Sequence, residues 1–211
     1  MGEIWIDFEW PIAKSYRIVS YPPAPVVPGR VTLTGNPHGP HIKPDGPVIM
    51  KRPLEVWPDL YLQFAKLEPT PENCVKFARK FGQLGTYREN ADEESISDWQ
   101  YHAAQFKLLK KMVDGRKLTP QSSDDFRLAD IDLRLRPRRG QLKLALVPRS
   151  LLTAMKLQFA QRVSSGASVR TCEHCGVWFE AGIGTDRRAD AKFCCDSHRY
   201  DFNNQRKGQQ R

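Results

Sequence analysis

The sequence predicts an α+β fold in two parts, and three observations carry that expectation. Apolar residues recur at helical spacing around 71–81, 97–113 and 148–163. Residues 131–147 instead alternate leucine with charge, the two-residue period of a strand pair. Four of the five cysteines then crowd into Cys172–Cys195, a density that suits ligands better than scattered core thiols. The expected organisation is a proline-rich irregular segment over 1–57, a mainly helical domain with a basic hairpin over 58–166, and a small module over 167–211.

Ile4, Ile6 and Phe8 alternate and predict one short strand near the start. Eleven of the sixteen prolines fall between Pro11 and Pro58, and residues 21–53 show little periodicity, so that stretch reads as extended or irregular. His38 and His41 flank Gly39-Pro40 without a cysteine or acidic cluster beside them, which disfavours a metal role. A short helix is expected over Leu60–Leu67, stopped by Pro69.

Thr70-Pro71-Glu72 is a helix start: a capping residue, a proline whose missing N–H needs no partner there, then an acid. Val75, Ala78 and Phe81 line its apolar face, and Gly82 stops it. Cys74 on this helix reads as a small buried residue. Ser97-Asp98-Trp99-Gln100 has the capping-box pattern and opens a second helix, with Trp99, Ala103, Phe106, Leu109 and Val113 on one side. His102 shares that side and reads as a packed histidine rather than a ligand or base.

Net charge is +9, but it is unevenly placed. Residues 127–170 carry ten basic and two acidic side chains, whereas 171–211 carry seven and six. Within the basic segment, Ile131, Leu133 and Leu135 alternate with Asp132, Arg134 and Arg136. Pro137-Arg138-Arg139-Gly140 makes a turn, and Leu142, Leu144 and Leu146 follow with Lys143 and Ala145 between them. A hairpin with leucines on one face is expected. Its other face carries Arg134, Arg136 and Lys143, with Arg138 and Arg139 at the tip. Such a face either meets water or tracks a phosphate backbone. Pro148 then fits the first turn of a helix, along which Leu151, Leu152, Met155, Phe159 and Val163 form a stripe. Ser164-Ser165-Gly166 ends that helix.

The C-terminal cluster reads Cys172-x2-Cys175, then eighteen residues, then Cys194-x3-His198. Two close pairs of soft ligands joined by a short loop are what a tetrahedral zinc ion needs. A tight turn at Cys172–Gly176 would aim both thiolates at one point, and Gly176 tolerates the backbone angles involved. A helix starting near Asp196 would place His198 in its first turn. Cys195 is the alternative to Cys194, though its spacing to His198 is shorter. Val177-Trp178-Phe179 reads as a strand, Gly182 and Gly184 as a turn, and Ala191-Lys192-Phe193 as the return. Knuckle, hairpin and ligand-bearing helix form a treble-clef-like arrangement. Four protein ligands fill a tetrahedron, so one structural Zn2+ is expected.

Cys-x2-Cys-Gly, Trp178-Phe179, Arg187-Arg188 and Lys192-Phe193-Cys194 resemble the zinc fingers at the C-termini of bacterial CGNR-type regulators. The resemblance covers the chain from Cys172 onward and implies zinc ligation by Cys172, Cys175, Cys194 and His198. It also implies a mainly helical domain ahead of the finger, and DNA binding. Where that family continues Cys-Gly-Asn-Arg from its last ligand, this chain reads His198-Arg199-Tyr200-Asp201.

The expected function is therefore nucleic-acid binding, to DNA and in a regulatory role. Arg134, Arg136, Arg138 and Arg139 would supply phosphate contacts, joined by Arg187, Arg188, Arg199 and Arg206 of the finger. The alternative is a protein-interaction or structural module in which zinc only holds the fold together, as the near-balanced charge of the finger suggests. No P-loop, nucleophile elbow, H-E-x-x-H or dinucleotide fingerprint occurs, and an enzyme is not expected. No apolar run reaches the roughly 18 residues of a membrane span. The opening Met1-Gly2-Glu3-Ile4-Trp5 has no secretory pattern, so a cytoplasmic protein is expected.

Overall fold

The computed structural model of the chain describes residues 5–21, 39–57, 59–86, 93–114, 128–138, 140–183 and 185–209. Ile4, His38, Arg139 and Gly184, which entered the sequence reading, lie outside them. The fold is α+β, but it is not mainly helical, because the proline-rich stretch contains the two longest strands. These are β2 (Trp10–Ser20) and β3 (Pro40–Lys51), paired antiparallel from Trp10↔Lys51 to Ser20↔Pro40.

Prolines are tolerated in this ribbon because of where its edges fall. A proline has no N–H to give to a ladder and is confined to edges and bulges. β2 is an edge strand of the sheet β2-β3-β4, which accommodates Pro11. The third strand, β4 (Glu94–Ser95), pairs with β3 only at His41 and Ile42. Pro44 and Pro47 lie beyond that short pairing. The register also shifts between Ala13 and Ser15, opposite Gly46, whose φ of 81° suits a bulge. Residues 22–38 lie outside the described residues.

The molecule divides into two compact units, Met1–Lys107 with Arg127–Gln158, and Leu108–Phe126 with Phe159–Arg211. In the first unit, α1 (Pro53–Val56) and α2 (Leu60–Ala65) precede α3 (Pro71–Phe81). Thr70 caps α3 as its sequence requires: Asn73 N–H donates to Thr70 Oγ1 at 3.3 Å, and Gly82 follows at φ 93°. The next helix, α4 (Ile96–Asp114), starts one residue before the expected cap. Ser95 takes the capping role, with Ser97 N–H donating to its hydroxyl at 3.2 Å. Phe64, Phe77, Trp99 and Phe106 meet edge to face at 5.4–6.0 Å and make the aromatic centre of this unit. Cys74 and His102 behave as packed side chains. Cys74 is fully buried, and burial pushes its thiol to about 12. His102 is half-buried against Gln105, and burial lowers its pKa.

A second sheet has the order β1-β6-β5. Here β1 (Trp5–Ile6) runs parallel to β6 (Gln141–Pro148), which pairs antiparallel with β5 (Ile131–Arg138). The expected hairpin forms, with Leu133↔Leu146, Leu135↔Leu144 and Pro137↔Leu142 in register. Its orientation is the reverse of the expected one. Leu133, Leu135, Leu142 and Leu144 are exposed, while Arg136 and Arg138 are half-buried. The cause is β1. Asp7 just after β1 forms an ion pair with Arg136, whose Nε lies 3.2 Å from its carboxylate, and Trp5 lies 4.8 Å beneath the Arg138 guanidinium. A carboxylate and an aromatic face together hold the arginine side of the ribbon inward.

Helix α5 (Leu151–Ser164) follows, with Leu151, Leu152, Met155 and Phe159 buried as its spacing requires. Buried Gln158 is satisfied: its amide donates to Trp57 O at 3.0 Å and accepts from Tyr61 N–H at 3.4 Å. Among the described residues no helix is long and apolar enough to cross a membrane.

Candidate metal centre

The second unit holds the cysteine cluster on a small scaffold. Strand β7 (Ala167–Thr171) pairs antiparallel with β8 (Trp178–Gly182), from Ala167↔Gly182 to Thr171↔Trp178. The partner of β8 is therefore the segment before the first ligand, not the 191–193 return that the sequence suggested. The strand Ala167–Thr171 follows directly on the Ser164-Ser165-Gly166 helix end and was not expected from the sequence. Phe179 and Ala181 point inward with Cys172, and Ala191, Phe193 and Cys194 pack against them.

The β7–β8 connection is the knuckle. Cys172 N–H donates to Val177 O and Gly176 N–H to Cys172 O, both at 2.9 Å. Gly176 has φ 68°, a conformation that penalises a Cβ. The return chain is tied back by Glu173 N–H donating to Lys192 O at 3.0 Å. Helix α6 (Asp196–Gln209) then carries His198 in its first turn, and the Phe202 ring meets Phe193 at a tilt, with centroids 5.2 Å apart.

Cys172, Cys175, Cys194 and His198 converge so that their candidate ligand atoms all lie within 4.8 Å of one another. Cys175 Sγ is 3.7 Å from Cys194 Sγ, and His198 Nδ1 is 3.0 Å from Cys194 Sγ and 3.9 Å from Cys172 Sγ. Metal bonds of about 2.3 Å to sulfur and 2.0 Å to nitrogen, at tetrahedral angles, give S···S near 3.8 Å and S···N near 3.5 Å. The spacings bracket those values, so the set is compatible with a single metal ion. Cys195 Sγ lies 4.0 Å from Cys194 Sγ and outside the converging set. Among the described residues this is the only group of three or more such side chains that could hold an ion.

The thiols of the cluster differ in their electrostatics. Burial raises the Cys172 thiol, but the backbone N–H groups of Cys175, Cys194 and His174 outweigh it and bring the pKa to about 6. Cys194 goes the other way, to about 12, through burial and then its contacts with the Cys175, Cys172 and Cys195 thiols. Sulfur atoms this close cannot all ionise side by side. A divalent ion among them reverses that repulsion and makes several thiolates stable together.

The arginines expected to contact nucleic acid fall into two sets, one in each unit. In the hairpin, Arg134 pairs with Asp132 at 2.7 Å, Arg136 with Asp7, and Arg138 covers Trp5. Arg139 lies outside the described residues. Arg136 also lines a cleft of about 370 Å³ with Trp5, Asp7, Glu9, Arg52, Pro137 and Val147. Arg52 reaches both Glu9 at 2.8 Å and Glu55 at 3.1 Å there, so the cleft is closely charge-paired. In the finger, Arg187 and Arg199 both approach Asp196, at 3.7 and 3.6 Å, while Arg188 and Arg206 are exposed. The Asp7–Arg136 pairing is not legible in the sequence, since nothing in a short strand announces its neighbour across the chain. No protein-family model matches the chain, nor does any curated protein or any solved structure.

Proposed function

We propose that the finger is a structural zinc module that presents α6 to nucleic acid, with duplex DNA as the target. Three thiolates and an imidazole are a soft, tetrahedral set that suits zinc. Four protein ligands leave no open coordination position, which supports a structural rather than a catalytic ion. Knuckle, short sheet and ligand-bearing helix correspond to a treble-clef-like finger of the kind seen in CGNR-type regulators.

The observation that carries the reading is the outer surface of α6. Arg199, Asn203 and Arg206 recur at helical spacing and are exposed, with exposed Tyr200 and Asn204 beside them. Arginine and asparagine are side chains that read guanine and adenine edges, and both also hold phosphates. Phe202 and His198 fix the inner side, so the helix is held while Asn203, Asn204 and Arg206 stay exposed; Arg199 is exposed as well, in a long surface pairing with Asp196 that solvent screens. Arg134, Arg136 and Arg138 of the hairpin are not assigned to this surface, because Asp132, Asp7 and Trp5 already engage them.

The test is binding of the zinc-loaded chain to a mixed-sequence DNA duplex across a salt series. Affinity should fall steeply with salt as counterions are released. Arg199→Ala and Arg206→Ala should each flatten the log–log slope by about 1. Absence of binding at low salt would overturn the reading for duplex DNA. A protein-interaction role has its own observation in favour, the exposed leucine side of the hairpin.

A further inference from the structure

The β5–β6 ribbon shows solvent the side that a half-buried ribbon normally hides. Leu133, Leu135, Leu142 and Leu144 are 67, 66, 69 and 45% exposed. Cross-strand partners share a face, so the Leu133–Leu146, Leu135–Leu144 and Pro137–Leu142 pairs form one contiguous surface. Among the described residues no charged side chain belongs to it. Single exposed leucines are ordinary, but this patch is on the order of 400 Å², within the range of the largest patch on a typical monomer and often functional at that size.

We propose that this leucine face docks a second copy of the chain, face on face about a two-fold axis. A two-fold contact requires a surface that complements itself. A double row of exposed leucines, uncharged among the described residues, meets that requirement. Asp132, Asp7 and Trp5 draw Arg134, Arg136 and Arg138 to the opposite side, so two such faces approach without bringing like charges together. A charged partner of either sign would find no counter-charge on this face. Strand addition at the free edge is disfavoured, because edge strand β5 carries Pro137 among its arginines, the devices that blunt an edge. The contact therefore runs through the face. A standard interface takes about 800 Å² from each partner, roughly twice this patch, so the dimer is weak and concentration-dependent.

Analytical ultracentrifugation of the full zinc-loaded chain across the micromolar range tests this. The wild-type chain should show a monomer–dimer equilibrium. Leu135→Asp should be monomeric throughout, and Leu135→Thr should weaken association at least tenfold. Both should keep the wild-type circular dichroism and melting temperature, since position 135 is exposed. If Leu135→Asp fails to fold, the threonine variant decides alone. A wild-type chain that stays monomeric overturns the proposal, as does a dimer that both folded variants leave unchanged. A monomer that co-sediments with phosphatidylcholine vesicles also overturns it and makes the face a lipid-docking surface.

Discussion

Glu94 is the residue in which burial and hydrogen bonding are most directly opposed. Its carboxylate is 2% exposed and accepts from the N–H groups of Leu84, Gly85 and Thr86 and from Trp99 Nε1. Burial raises its pKa, and the donors offset only part of that rise. A carboxyl with a raised folded-state pKa contributes its full stability below the unfolded value near 4.5. That contribution is lost as pH rises through the folded value. Glu94→Gln offers an amide that cannot titrate, and either amide orientation turns an NH2 toward N–H donors. The variant should lose about 3 kcal/mol, on the scale of two buried donors left unsatisfied. Urea denaturation should show the wild-type advantage larger at pH 4.5 than at pH 8. An advantage that grows with pH would mean the donors outweigh burial. Nothing around Glu93-Glu94 in the sequence signals this burial. By contrast, the zinc-type ligands were legible, because C-x2-C and C-x3-H encode their geometry within a few residues.

The loop after α3 shows how an element is shaped from both sides. Glu94 gathers its N–H groups while Trp10 lies across it, donating from Nε1 to Gln83 O at 2.8 Å. Gly82 and Gly85 have φ of 93° and 73°, and a Cβ on Gly85 would stand 2.6 Å from Trp10 Cη2 and 2.9 Å from Ser150 Cβ. Gly85→Ala combines left-handed strain of about 1–2 kcal/mol with overpacking of about 1–3 kcal/mol. It should lower stability by about 3 kcal/mol in chemical denaturation, and a loss below 0.5 kcal/mol would show that Trp10 yields freely. Helices with local start signals were readable for the same reason that this loop was not. Thr70-Pro71 and the 151–159 stripe carry their information within a turn or two. The β2–β3 ribbon depends on which edge each proline meets, and the hairpin's orientation depends on Asp7 and Trp5. Those facts belong to distant partners, so periodicity showed the hairpin but not its register, which carries Pro137 and Arg138 of the expected turn into β5, nor the side it buries.

At the scale of the whole molecule, the two units rest on different physics. The first unit has an aromatic centre of its own in Phe64, Phe77, Trp99 and Phe106. The finger has Cys172, Phe179 and Ala181 as its buried cluster, with half-buried neighbours. A core that small cannot repay the conformational entropy of the segment it orders, whereas binding a structural zinc ion contributes about 10–16 kcal/mol in comparable peptides. Folding of the finger should therefore follow the metal. Adding a strong chelator at neutral pH should collapse the amide dispersion of residues 167–209 in a two-dimensional NMR spectrum while Trp99 and its neighbours keep theirs. Cys172→Ser should reproduce that spectrum without chelator and purify without zinc. Cys195→Ser should keep one zinc per chain, because its sulfur stands outside the converging set. Loss of zinc in Cys195→Ser would move the third-ligand role away from Cys194. A finger that keeps its dispersion in chelator would place its stability in β7–β8 packing, and the metal would then be secondary.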